Sequence, residues 1–302
     1  MVTFGMVLPT MHAGADPALI DAAAEAADIL GWQEVWTTDH VMVPHGEADE
    51  YARIYEAITT LAWVAGRHPR PRIGISVVVV PQRNAVVLAK ELATLDDLSG
   101  GRLDVGVGAG WVHGEFVNLG VPERFAVRGA YLDETIRLWR HLWSGSREPF
   151  EGRFHRFDDF LFEPLPPQRE HVPIIVGGAS RGALRRAGVL GDGYQAAVTG
   201  PLEYARQVEV IGAAADAAGR PMPRLSARLN VRFEAQPGDL YALVGTPGDM
   251  LQELRAFVRA GVQDFALLFE PRHADDFLAA AMRFDREVAS DLRHAESPAP
   301  AP

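Results

Sequence analysis

The sequence predicts one α/β domain closed into a (β/α)8 TIM barrel, and three observations predict it. Eight short apolar runs recur along the 302 residues, with longer segments of helical period between them. Several runs are apolar throughout instead of alternating, as strands covered on both faces are, which means a parallel sheet joined by crossover helices. Eight such units are the usual content of a closed barrel of this length. A doubly wound open sheet is the alternative.

In chain order the strands are read at Phe4–Leu8, Glu34–Thr37, Ile73–Val80, Leu103–Val107, Ile174–Val176, Gly193–Val198, Leu225–Phe233 and Phe265–Phe269. Helical segments between them include Pro17–Leu30, Ala85–Leu98, Ala130–Trp143, Gly182–Leu190, Leu202–Ala218 and Asp249–Ala260. Asp16 before Pro17, and Thr246 before Pro247 with Asp249 following, are helix starts. Gly31, Gly100, Gly219 and Gly261 stand where helices stop. Residues 144–171 break the alternation. They read as an extended hairpin (Pro149–Phe154 and Phe157–Phe162) followed by Pro164-Leu165-Pro166-Pro167, through which no helix can run. We expect this insertion, between the fourth helix and the fifth strand, to lie over the barrel mouth or at a subunit contact. The domain is expected to span 1–295, with 296–302 a disordered tail rich in proline and alanine.

Composition excludes several function classes. A net charge of −11 argues against nucleic-acid or anionic-membrane partners, which need a basic surface. With no cysteine, thiolate metal sites and cysteine nucleophiles are absent. Lys90 is the one lysine, so lysine chemistry is all but removed. No basic-then-apolar leader opens the chain and no apolar run approaches about 20 residues, so a cytoplasmic protein is expected. None of the ten histidines has metal-ligand spacing, and no metal is expected.

Function in a barrel collects at the C-terminal ends of strands. Thr37-Thr38-Asp39-His40 follows strand two. His40 can exchange a proton near neutral pH, and the adjacent Asp39 can fix its tautomer; a hydrogen-bonded structural histidine is the other reading. Strand four runs into Gly106-Val107-Gly108-Ala109-Gly110-Trp111, where glycines let amides approach a phosphate or a flat ring, or simply pack tightly at the rim. The spacing is not the dinucleotide fingerprint, which needs a glycine at Trp111. Strand five ends in Gly177-Gly178-Ala179-Ser180 and enters a helix, a start that suits a phosphate or is merely capped by Ser180. The pairs Asp96-Asp97 and Asp133-Glu134 fall in helix interiors, as caps or arginine partners.

Taken in order, these residues resemble the luciferase-like superfamily, on its coenzyme-F420-dependent oxidoreductase branch. The most specific block runs from Pro81-Gln82-Arg83-Asn84 through Ala89–Arg102 to Gly106–Trp111, and continues into Glu115-Phe116, Leu119-Gly120, Arg128-Gly129 and Asp133-Glu134. A second comprises Val176–Ser180, Ala183–Ala187 and Gly191–Gly193. The likeness covers nearly the whole chain and is least distinctive in the final helices. It implies a deazaflavin ring at the barrel mouth, backed by a bulge in strand three at or near Ser76-Val77, with a non-prolyl cis peptide in many relatives. It further implies that Asp39 and His40 border the ring, that Gly108, Ala109, Gly110, Trp111 and Gly177, Gly178, Ala179, Ser180 hold the phosphate-bearing tail, and that the protein is a homodimer. Sugar-phosphate dehydrogenases of this family carry glutamate where Trp111 stands and hold the substrate phosphate with lysines. Their substrate is therefore not expected here, and an aromatic or apolar small molecule against Trp111 is. The alternatives are a monooxygenase using reduced FMN and oxygen, and a barrel that only binds flavin.

Overall fold

A computed structural model describes residues 2–12, 15–235, 238, 240–269 and 273–295; the expected tail 296–302 lies outside the described residues. The barrel is closed and all parallel. Its strands are β1 (Thr3–Val7), β2 (Glu34–Thr37), β3 (Arg72–Val79), β4 (Leu103–Gly108), β7 (Ile174–Gly177), β8 (Gly193–Ala197), β9 (Arg224–Phe233) and β11 (Asp264–Leu268), and β9 pairs with both β8 and β11 to close the ring. A short β10 (Leu243–Gly245) adds to the end of β9. The crossover helices are α1 (Pro17–Ile29), α2 (Ala57–Arg67), α3 (Ala85–Ser99), α5 (Arg124–Trp143), α6 (Arg181–Leu190), α7 (Pro201–Ala217), α8 (Pro247–Arg259) and α9 (Ala274–Phe284), with a short α4 (His113–Asn118) after β4 and α10 (Ser290–Ala295) at the end.

The expected punctuation is present. The Asp16 carboxylate accepts from the amides of Ala18 and Leu19, and Thr246 and Asp249 form a reciprocal capping box. Gly100 closes α3 in the left-handed region at φ 72°, where a side chain would be strained. The large core lies between strands and helices, with Trp139, Trp143, Phe257 and Phe284 fully buried in it.

Inside the barrel the side chains stack in layers. At the N-terminal floor Arg72 clamps Asp104 at 2.7 and 2.8 Å, and Arg224 pairs with Asp264 and lies 3.7 Å from Glu34. Burial, reinforced by the charges of Asp104 and Asp264, pushes the Glu34 carboxyl up to about 7. Above this floor Trp36 packs with Val7, Ile175 and Ala266. A Cβ on Gly74 would fall 2.3 Å from the Trp36 ring, so that glycine is the space the indole occupies.

The insertion is shorter in regular structure than its hairpin pattern suggested: β5 (Phe150–Glu151) and β6 (Arg156–Phe157) pair over two residues each. It does not lie over the mouth. Glu134 of α5 accepts the amides of Arg153, Phe154 and His155, Asp96 of α3 accepts from Gln168, and Lys90 sits 4.1 Å over the Phe162 ring. These acids thus tether a loop along the outside of α3 and α5, while Asp133 pairs with Arg186 as an arginine partner.

Candidate active site

A cavity of about 1340 Å³ opens at the C-terminal mouth of the barrel. That exceeds the roughly 300–1,000 Å³ usual for one small ligand and leaves room for two. The residues that the resemblance implies around the ring and its tail all line it: Asp39, His40, Ser76, Val77, Gly108, Ala109, Gly110, Trp111, Gly177, Gly178, Ala179 and Ser180. None of its lining comes from the insertion.

One wall is built by the loops after β1 and β2, which zip together. Met11 bridges Ile54, the His12 amide donates to Arg53 at 2.9 Å, and the Tyr55 amide donates to Thr10 at 3.0 Å. This holds Tyr51 flat on His40, with ring centroids 4.3 Å apart at 26°. Trp111, 59% exposed, meets His40 edge-on at 6.2 Å and Tyr51 at 6.3 Å.

Asp39 does not orient His40, contrary to the reading from adjacency. Its carboxylate turns away, accepting from the Val79 amide at 2.9 Å and from Arg83 at 2.6 Å, and is closed to solvent. The partner of His40 is Glu115 on α4, whose Oε2 lies 3.1 Å from Nδ1. Glu115 also accepts from the amides of Val41 (2.6 Å) and Met42 (3.3 Å) and from Gln82 (2.9 Å). Burial alone would raise this carboxyl, but the bonds from His40, Val41 and Gln82 outweigh it and hold it down at about 2. An ionised Glu115 only accepts, so Nδ1 carries a proton and, in neutral His40, Nε2 is a base. Nε2 has no hydrogen-bond partner among the described residues.

β3 carries a bulge between Ile75 and Val78, and the Ser76-Val77 peptide within it is cis. Here three of the glycines have a packing reason. A Cβ on Gly108 would fall 2.5 Å from Val77 Cγ2, one on Gly177 would fall 2.6 Å from Val77 Cγ1, and one on Gly106 would strike the Ile75 carbonyl. Gly106, Gly108 and Gly177 accommodate the bulge; Gly178, Ala179 and Ser180 are the exposed ones facing the cavity. Ser180 caps α6, accepting from the Ala183 amide at 3.2 Å. Beside that helix start, Arg128 donates through Nε and Nη1 to the carbonyls of Gly110 and Phe125, and Nη2 is unpartnered among the described residues.

Two participants were missed from sequence, Glu115 as the carboxylate behind His40, and Arg228. Arg228 on β9 donates to the Ser76 carbonyl at 2.6 Å and to Thr38 Oγ1 at 2.8 Å. Burial lowers its pKa to about 10, which leaves it charged at neutral pH. A signal for it existed. Arg224, Ser226, Arg228, Asn230 and Arg232 alternate with Leu225, Ala227, Leu229 and Val231, which marks a strand with its polar face turned into the barrel.

The residues present fit a phosphate-bearing flat ring: a large cavity, a bulged strand at one wall, an exposed 10-residue helix start and a guanidinium with free N–H groups. Among the described residues no metal-ligand cluster exists, and no helix is long and apolar enough to cross a membrane.

The profile of the luciferase-like monooxygenases matches residues 1–239. An uncharacterised protein of Mycobacterium tuberculosis is 33% identical over 189 residues, covering 58% of this chain and 65% of its own length. An F420-dependent glucose-6-phosphate dehydrogenase of Kineococcus radiotolerans is 36% identical over 178 residues (58% of this chain, 51% of its own), and an FMNH2-dependent dimethylsulfone monooxygenase of Pseudomonas putida is 40% identical over 111 (35% and 30%). The chain thus spans less than two thirds of each relative's length. Among solved structures, the monooxygenase RslO1 of Streptomyces bottropensis superposes with a TM-score of 0.79 at 24% identity (96% of this chain, 99% of the other). The coenzyme-F420-dependent tetrahydromethanopterin reductase of Methanopyrus kandleri does so at 0.78 and 17% (96% and 99%). These two likenesses establish the fold.

Proposed function

We propose an activity from one premise: the chain belongs to the luciferase-like monooxygenase family. Within that family of oxidoreductases it transfers a hydride between coenzyme F420 and a small organic substrate. The observation that carries this reading is His40, fixed through Nδ1 by an ionised Glu115 and left with a free Nε2 at the wall of the cavity. When bound, the deazaflavin gives or takes the hydride. His40 Nε2 takes up or returns the proton that moves with it, and Tyr51 and Trp111 fix the plane of the imidazole. Ser76 and Val77 would support the ring; Ala109–Trp111, Gly178–Ser180 and Arg128 would hold the tail. A homodimer belongs to the same reading, and light scattering checks it.

A second reading is a monooxygenase using reduced FMN and oxygen. The 40% identity to an FMNH2-dependent enzyme favours it, and the same helix start suits either phosphate. The glycine-tryptophan pair after β4 resembles the deazaflavin branch more closely. Fluorescence titration of the purified protein decides between them. Tighter binding of coenzyme F420 is expected; tighter binding of FMN moves the chain to the monooxygenase branch.

A further inference from the structure

Arg228 is a cation of the cavity that no carboxylate among the described residues neutralises. In the ring of eight strands β9 stands opposite β3, four strands away in either direction. Yet Nη1 of Arg228 reaches the Ser76 carbonyl at 2.6 Å and its hydroxyl at 3.3 Å, while Nη2 reaches Thr38 Oγ1 at 2.8 Å. The side chain crosses the barrel, so its guanidinium sits near the axis, on the floor of the mouth. A guanidinium has five N–H donors. Three are used here, and the Nε–H and one Nη2–H have no partner among the described residues. Elsewhere in this protein the Nε and Nη2 pair is the fork that clamps a carboxylate, Asp21 in Arg67 and Asp104 in Arg72.

The surroundings do not supply the missing charge. Of the carboxylates lining the cavity, Asp39 is held by Arg83, and Glu50 is exposed. Arg128 lines the same cavity with no carboxylate partner among the described residues, while Arg186 in that lining is already paired with Asp133. Holding a half-buried cation without a counter-charge costs stability, and an entering anion offsets that cost. The phosphate-bearing tail assigned above belongs to the start of α6 and to Arg128, which leaves Arg228 for a different oxyanion. Around it Met11, Tyr51, Trp111, Leu268 and Phe269 give the cavity an apolar and aromatic lining.

We propose that Arg228 receives an anionic oxygen pair of the substrate, so that the substrate class is a small aromatic or apolar monocarboxylic acid, its carboxylate held on the barrel axis with the reacting carbon beside His40. This rests on the reading that the cavity holds substrate beside a redox ring. The guanidinium is a specificity determinant here, and it takes no part in moving hydride or proton.

The test is calorimetric titration of the full chain, free of cofactor, with benzoate and with its neutral isostere benzamide. Benzoate is expected to bind at least about 10-fold more tightly, and Arg228→Gln to weaken benzoate by about 10- to 100-fold, down to the benzamide level. Arg228→Lys, which keeps the charge and loses the fork, should retain part of the preference, and it stands in if the glutamine variant does not fold. Equal affinities in the unmodified protein, no measurable benzoate binding, or a preference that survives Arg228→Gln would each overturn the proposal. So would a variant that binds benzoate normally and the reduced cofactor weakly, since the guanidinium would then serve an anionic ring. The benzoate and benzamide titrations involve no cofactor, so a preference for FMN in the cofactor comparison leaves them standing.

Discussion

Oε2 of Glu115 lies 3.1 Å from Nδ1 of His40, joining two residues 75 positions apart into one buried unit. With the Glu115 carboxyl held at about 2, it is charged throughout the working range and keeps the His40 proton on Nδ1. Glu115 also accepts the amides of Val41 and Met42, so it fixes the loop as well as the ring. It is a positioning residue. Glu115→Gln keeps the shape but removes the charge that fixes the tautomer. Turnover should fall by about 10- to 100-fold, and the pH profile of kcat should move, with cofactor affinity nearly unchanged. An unaltered pH profile would leave Glu115 a purely structural anchor.

His40→Ala removes the group proposed to transfer the proton and should lower turnover by about 10²–10⁴-fold. Affinity for the deazaflavin should change much less, because the residues proposed to support the ring and hold the phosphate are others. Steady-state kinetics beside fluorescence titration separates the two effects. Collapse of binding with turnover preserved would make His40 a cofactor ligand.

The barrel was legible because each strand packs helices on its outer face and other side chains within, which buries nearly every residue of β1, β2, β4 and β7 and leaves apolar runs such as Phe4–Val7 and Ile174–Val176. The mouth was legible as a set of strand ends, not as a set of contacts. Asp39 and His40 are neighbours in sequence, but successive side chains in extended chain point apart, and Asp39 turns to Arg83 while His40 meets Glu115. Such partners are set by the crossing of α4 over the loop after β2, which no local spacing records. For the glycines of β4 the sequence left packing and cofactor approach equally open, and the structure gives Gly108 and Gly177 a packing reason, since both make room for Val77. Helix α2 carries Leu61, Val64 and Ala65 at helical spacing, but the Thr59-Thr60 pair, with β-branched side chains, weakens its local signal.

Ala179 is exposed and lines the cavity at the start of α6. It tests the phosphate site more cleanly than Gly178, whose φ of 103° penalises any side chain. Ala179→Asp sets a fixed negative charge where the tail is proposed to lie and should weaken cofactor binding by about 10-fold or more. A deazaflavin ring lacking the phosphate should bind the variant as before. Equal losses for both ligands would mean the tail lies elsewhere.

The floor of the barrel sets a dependence of stability on pH. Glu34 faces Asp104 from β4 and Asp264 from β11, with Arg72 from β3 and Arg224 from β9 as the cations. Its carboxyl is raised from 4.5 to about 7, by burial first and the two acids second. Between those values the folded chain binds a proton that the unfolded chain has released. The associated stability is therefore fully present below about 4.5 and lost as pH rises through 7, at most about 3 kcal/mol for a shift of this size. Glu115 titrates in the opposite sense and lower window, so comparison with a variant isolates Glu34. Glu34→Gln mimics the protonated form. It should match the unmodified protein near pH 4.5 and be more stable near pH 8, as read from denaturant midpoints across that range. Parallel profiles for the two proteins would mean that Arg224 and Arg72 already neutralise Glu34 in the fold and that the floor holds no proton.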